Sequence, residues 1–177
     1  MDYAQTTQWL RNAAALLHDS RDRLTELDKE IGDADHGINM DRGFNAVLAK
    51  LPAAEESDIG TILKTVGMAL VGSVGGAGGP LYGTLFMRMG TAVANKTTLS
   101  DEDVVAMLDA GVKGVVERGK ANLGDKTMID ALQPAVDALR RGVAENKGVV
   151  AALAGAKAAA QKADTVIRES IRMLHGL

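Results

Sequence analysis

Helical periodicity constrains this chain more than any other feature of its sequence. Apolar residues return every three to four positions along nearly the whole length, while the alternation of a half-buried strand is scarce. Proline occurs only at Pro52, Pro80 and Pro134, so few positions forbid a helix interior. A first helix carries Trp9, Leu10, Ala13, Leu16 and Leu17 on one face, with Thr6 or Thr7 as its cap and an end near His18. A short helical piece over 22–31 ends at Gly32. The stretch 40–51 carries Phe44, Val47 and Leu48 on one side and is stopped by Pro52. A helix over 58–73 buries Ile59, Ile62, Leu63, Val66 and Leu70, and 81–95 is apolar on most sides. Ser100 with Asp103 three residues on reads as a helix start running to about Gly119. Thr127 is placed to cap a further helix to about Asn146, kinked at Pro134. The Ala-rich end, 148–173, reads as one long helix or two broken near 162–164. Connections this short favour antiparallel neighbours. The expected fold class is all-α, an antiparallel helical barrel or bundle of about seven helices, in a single domain over 1–177.

Composition narrows this further. Apolar residues make up 46% of the chain and aromatics only 3%, so the core has to be aliphatic. A formal net charge of -3 argues against a nucleic-acid partner, which needs a broad basic face. No cysteine is present, which excludes disulfides and thiolate metal sites. The start, Met1-Asp2-Tyr3-Ala4-Gln5, is polar and acidic rather than a signal peptide, and no apolar run approaches a membrane span. The expectation is a soluble, cytoplasmic protein.

Within that helical frame one stretch is dense in charge: Leu27-Asp28-Lys29-Glu30-Ile31-Gly32-Asp33-Ala34-Asp35-His36-Gly37-Ile38-Asn39-Met40. Two like charges 4 Å apart repel by about 4 kcal/mol at a surface-like dielectric. Asp28 falls at a helix end and Asp33 and Asp35 in the loop after it, which lets the three converge where a continuous helix would not. Oxygen ligands without cysteine favour Mg²⁺ or Ca²⁺ over zinc. An EF-hand starting at Asp33 fails, because Ile38 stands where its glycine belongs and Phe44 where its glutamate belongs. His18, His36 and His175 are too scattered for a zinc trio. The plainer alternative is a solvated acidic turn with Asp33 as a cap. His36 can bond a phosphate, stack on a base, or simply order the loop.

Two glycine-bearing stretches follow. Gly72-Ser73-Val74-Gly75-Gly76-Ala77-Gly78-Gly79-Pro80 is long for a helix joint, and its bare backbone can approach a phosphate closely. It is no dinucleotide fingerprint, since no strand precedes it. Gly119-Lys120-Ala121-Asn122-Leu123-Gly124-Asp125-Lys126-Thr127 resembles a P-loop only superficially, because Asp125 separates the second glycine from the lysine. It still leads into a helix N-terminus, which suits an anion or a nucleotide edge. The plain alternatives are a flexible joint and an ordinary capped helix start. The methionines from Met87 onward read as core.

Taken together, Leu-Asp-x-x-Ile-Gly-Asp-x-Asp-His-Gly-x-Asn-Met at 27–40, Ser-Val-Gly-Gly-Ala-x-Gly-Pro-Leu-Tyr-Gly at 73–83 and Arg-Gly-Lys-Ala-x-x-Gly-Asp-Lys-Thr-Met at 118–128 resemble the nucleotide-binding L subunits of dihydroxyacetone kinase. The resemblance covers about 7–163, with the three motifs in order. It implies a barrel of eight antiparallel helices in which Asp28, Asp33 and Asp35 hold two Mg²⁺ ions on a bound ADP or ATP. It implies that His36, Gly37 and Asn39 line the phosphate end and that Ala77 and Gly78 belong to a glycine-rich lid. Gly119, Thr127 and Met128 then lie near the base and ribose. No side-chain nucleophile is implied, since phosphoryl transfer needs mainly charge neutralisation and alignment.

The resemblance also implies partners. In the phosphotransferase-linked type, a phosphoryl-carrying M subunit recharges the nucleotide, and the L subunit passes the phosphoryl group to dihydroxyacetone on a K subunit. The alternatives are an L subunit using exchangeable ATP directly, and a non-catalytic docking or regulatory module that binds the K subunit or a transcriptional activator. A homodimer is a further expected assembly. Two departures from the family pattern stand out. Gly78 replaces a serine of many relatives. The sequence also ends at Leu177 without the family's Gly-Arg-Ala-Ser-Tyr-Leu-Gly-Glu-Arg loop, its Asp-Pro-Gly and its closing helix, so a C-terminally shortened barrel is expected. The stripe Ile167, Ile171 and Leu174 could cover part of that gap, with Arg168 or Arg172 in place of the lost arginine.

Overall fold

The computed structural model describes residues 1–30, 32–51 and 57–175, with side chains up to residue 162. The expected stop at Pro52, the contribution of Ile31 and the stripe at Ile167, Ile171 and Leu174 lie outside these. Among the described residues the chain is all-α, as expected, with eight helices where about seven were anticipated. The extended pairing among them is an isolated bridge between Asp2 and Thr98. Two compact units divide the chain, Met1–Leu99 and Ser100–Leu177.

The first unit contains α1 (Tyr3–Asp19), α2 (Arg21–Lys29), α3 (His36–Lys50), α4 (Ile59–Ser73) and α5 (Gly78–Ala92). Helix α1 starts earlier than Thr6. The Asp2 carboxylate accepts from the Gln5 amide at 2.8 Å, and the Gln5 side chain accepts from the Asp2 amide at 3.0 Å. This reciprocal box outcompetes either threonine as a cap. The Thr6 and Thr7 hydroxyls instead donate back to the carbonyls of Asp2 and Tyr3, at 2.7 and 3.1 Å, as hydroxyls inside a first turn do. Met1 and Leu99 exchange backbone bonds of 2.6 and 2.7 Å, tying the start of the unit to its end.

The expected stripe on α4 is the centre of this core: Ile59, Ile62, Leu63 and Leu70 are fully buried. Trp9 and Phe44 both pack on Phe86, with ring centroids 6.1 and 6.3 Å away. Leu16 departs from its expected face and is 67% exposed, while Leu10 and Ala14 are buried. Helices α4 and α5 meet backbone to backbone. A Cβ built on Gly60 would lie 2.6 Å from the Gly90 carbonyl oxygen, and one on Gly90 would lie 2.5 Å from that of Gly60. Gly67 and Gly83 repeat the reciprocal approach two turns on, at 2.8 and 3.0 Å. Any side chain at these four positions would force the helices apart. Helix α5 also begins before the expected Leu81. Pro80 sits in its first turn, where a missing N–H leaves no intrahelical bond unmade.

The second unit contains α6 (Asp101–Gly119), α7 (Ile129–Ala144) and α8 (Val149–His175). The predicted Ser100–Asp103 box is formed, each bond 3.1 Å long. Helix α7 runs through Pro134, and α8 is one continuous helix with no break at 162–164. Small residues join α7 to α8: a Cβ on Gly142 would meet that of Ala152 at 2.6 Å. The Asp101 carboxylate accepts from the Val149 amide at 2.9 Å and so caps the start of α8. Among the described residues no helix is long and apolar enough to cross a membrane.

Candidate metal centre

Helix α2 ends at Lys29, the chain turns, and α3 begins at His36. Asp28 is therefore at a helix end and Asp33 and Asp35 are in the turn, as the sequence predicts. One carboxylate oxygen from each of the three lies within 4.8 Å of the others. The turn is built around Asp28. Its Oδ2 accepts from the backbone amides of Asp35 and His36, at 3.0 and 3.2 Å. These are the N-cap and first amides of α3, so Asp28 caps a helix that starts eight residues later. Asp35 occupies the N-cap position but makes no side-chain cap bond itself. Its carboxylate is left for the cluster.

This remote cap explains why α3 starts at His36 rather than at the expected Met40. His36, Gly37 and Asn39 consequently ride on the first turn of a helix, at the end that favours anions. Two glycines permit the geometry. A Cβ on Gly32 would lie 2.2 Å from Asp28 Oδ1, and one on Gly37 would lie 2.0 Å from the Arg21 carbonyl oxygen. The second contact brings α2 and α3 together at the backbone. Ala34 completes the turn in the left-handed region at φ 60. That conformation costs an L-residue roughly 1–2 kcal/mol, and such strain tends to collect at ligand-binding loops.

The electrostatics are unbalanced. The Asp33 carboxyl is held above the usual range, first by its hydrogen bond with Asp35 and then by the charges of Asp35 and Asp28. No lysine or arginine pairs with any of the three aspartates among the described residues. Three converging hard oxygens without a counter-charge fit a Mg²⁺-type cation.

The glycine segment between α4 and α5 belongs to the same unit. Gly76 takes φ 58, Ala77 is the exposed N-cap of α5, and Gly78 is the first residue of that helix. Asn39 is 6% exposed. A Cβ on Gly75 would come within 3.0 Å of its Nδ2 atom. The first turn of α3 thus touches the glycine segment directly. Arg42, which sequence reasoning passed over, bonds Asn39 and the end of α4. No local pattern marks it, because its partners lie on two different helices.

In the second unit, Gly119 is the last residue of α6, and Thr127 and Met128 precede α7. Asp130 organises the connection, accepting from the amides of Gly124 at 2.6 Å and Thr127 at 2.9 Å. Those amides hold its carboxyl below the usual range. Thr127 caps the start of α7 as expected: its hydroxyl accepts from the Ile129 amide at 3.2 Å and its own amide donates to Asp130, while Met128, just before the helix, makes no side-chain cap bond.

Comparison with known proteins gives these positions a family context. Residues 30–170 match the family described as the DAK2 domain. The chain is 46% identical over 159 residues to the ADP-binding subunit DhaL of the PEP-dependent dihydroxyacetone kinase of Escherichia coli strain K12, covering 90% of this chain and 76% of that one. It is also 46% identical over 142 residues to the ADP-binding subunit DhaL of PEP-dependent dihydroxyacetone kinase 2 of Listeria innocua, covering 79% and 66%. Among solved structures, it resembles the native dihydroxyacetone kinase of C. freundii with a TM-score of 0.71 and 27% identity. That match covers 90% of this chain but only 28% of the longer C. freundii polypeptide.

Proposed function

The chain belongs to the DAK2 domain family of dihydroxyacetone kinase subunits, and on that premise we propose that it is an ADP/ATP-binding L subunit. In this reading it relays a phosphoryl group, through Mg²⁺-bound nucleotide, from a phosphotransferase-system phosphocarrier to dihydroxyacetone held by a K subunit. The observation that carries the reading is the convergence of Asp28, Asp33 and Asp35 within 4.8 Å on the anion-favouring end of α3. The names of the relatives, which are ADP-binding and PEP-dependent, support the nucleotide and the phosphoryl source.

Asp28, Asp33 and Asp35 are the proposed ligands of two Mg²⁺ ions, which when bound neutralise phosphate charge. The first-turn amides of α3, with His36, Gly37 and Asn39, orient the phosphate end. Ala77 and Gly78 bring backbone close to it without side-chain bulk. Gly119, Thr127 and Met128 are the proposed contacts to the base and ribose. The chain acts as a single domain in the cytoplasm, with K and M subunits as partners. No protein nucleophile takes part.

Calorimetry tests the binding half. ADP should bind tightly with Mg²⁺, weakly without it, and weakly to Asp33→Ala under both conditions. Equal affinity in wild type and variant would rule the reading out. Turnover of dihydroxyacetone with K and M subunits added tests the relay, and its absence despite tight ADP binding would leave a nucleotide-binding protein that is no relay.

A further inference from the structure

Arg42 lies on α3, two helical turns beyond the aspartate loop, and nothing in the reading above gives it a task. Its guanidinium makes two directed bonds. Nε donates to the Ser73 carbonyl at 2.9 Å, and Nη2 donates to Asn39 Oδ1 at 2.5 Å. Ser73 is the last residue of α4, where carbonyls lack intrahelical partners. Arg42 thus fastens the point where the glycine segment leaves α4, and it holds the side chain against which that segment lies.

The second bond has a chemical consequence. A guanidinium donates and never accepts, so only the oxygen of the Asn39 carboxamide can face it. The amide flip of Asn39, which its own environment would leave open, is therefore decided by Arg42. Asn39 is 6% exposed, and its Nδ2 is left without a hydrogen-bond partner among the described residues, next to Gly75. Facing the glycine backbone, that donor pair is free to meet an acceptor. The glycine backbone beside it offers the space for an anion's oxygen.

We propose that Arg42 is a positioning residue. It fixes the carboxamide of Asn39 so that Nδ2 donates to a phosphate oxygen of the bound nucleotide, and it fixes the glycine segment against the same side chain. The inference rests on the nucleotide-binding reading above. It adds a coupling between α3 and the end of α4 that the metal ligands do not supply.

The test is a double-mutant cycle on Mg²⁺–ADP affinity in the full chain, using Arg42→Ala, Asn39→Ala and the double variant. Outer-shell residues typically contribute about 10- to 100-fold. Each single change should weaken ADP by roughly tenfold, and the double change should weaken it no further. Arg42→Lys, which keeps the charge but cannot reach both partners, should bind like Arg42→Ala, whereas a merely structural charge would be rescued by it. The side-chain amide resonance of Asn39 should shift on adding ADP in wild type and not in Arg42→Lys. Additive losses, full rescue by lysine, or an Asn39 resonance indifferent to ADP would each overturn the proposal while leaving nucleotide binding in place. Wild type that binds no Mg²⁺–ADP would overturn both.

Discussion

Two loops of this protein have similar composition and opposite outcomes. The loop between α2 and α3 and the loop between α6 and α7 each carry glycines, aspartates and left-handed residues, and each leads into a helix. In the second loop the carboxylates are used up by the chain's own amides. Asp125 accepts from the Asn122 amide at 2.7 Å, and Asp130 takes two amides, so its carboxyl falls below the usual range. In the first loop Asp28 is used in this way; Asp33 meets its own amide but chiefly faces Asp35. The Asp33 carboxyl rises instead. A count of acidic residues does not separate the two loops. What separates them is whether backbone amides have already neutralised the carboxylates.

The largest effect that would break this comparison is on metal-dependent binding. Asp33→Ala should lower Mg²⁺-dependent ADP affinity by about 100-fold or more, since outer-shell changes alone cost 10- to 100-fold. Calorimetry with and without Mg²⁺ reads this directly. Asp28 should sit between the two loop types. Asp28→Ala removes both a proposed ligand and the remote cap of α3, so affinity should fall and stability should drop by about 1 kcal/mol. Asp28→Asn keeps an oxygen acceptor for the Asp35 and His36 amides, so denaturant melts should recover most of that stability while ADP binding stays weak.

Asp130→Ala should show the reverse. Thermal melts should fall by a few degrees as the loop loses both amide tethers, and Mg²⁺ dependence should be unchanged. The smallest effect is a pH dependence of the same closed type, at Asp58. Its carboxylate accepts from the Thr61 hydroxyl and from the Thr61 and Asn95 amides, and its carboxyl lies below the ordinary 3.8. A lowered folded value contributes stability that is complete above 3.8 and is lost as pH falls through the folded value. The stability advantage of wild type over Asp58→Asn should therefore be constant near neutrality and shrink in acid. An advantage that grows on acidification would contradict this.

Most of the helices were legible because they bury a periodic stripe; α4 is the clearest case, and α2, which buries no residue, is the exception. The Ser100–Asp103 box was legible because both of its partners sit within one turn. What could not be read depended on contacts between separate segments. Asp28 as a cap for α3 is one such case. The reciprocal glycine pairs of α4 and α5 are another, since they pair only once the two helices are antiparallel and in register. The aspartate cluster was found by charge density, and its carboxylate oxygens converge. Arg42 was missed because a single exposed arginine carries no local signal.

The central claim is that the first loop is an open cation site and the second a closed one. Electron paramagnetic resonance of Mn²⁺ with ADP, on wild type, Asp33→Asn and Asp130→Asn in parallel, tests it most directly. The account predicts bound Mn²⁺ in wild type and in Asp130→Asn, and its loss in Asp33→Asn. Retention of Mn²⁺ by Asp33→Asn, or its loss from Asp130→Asn at a temperature where that variant is folded, would contradict it.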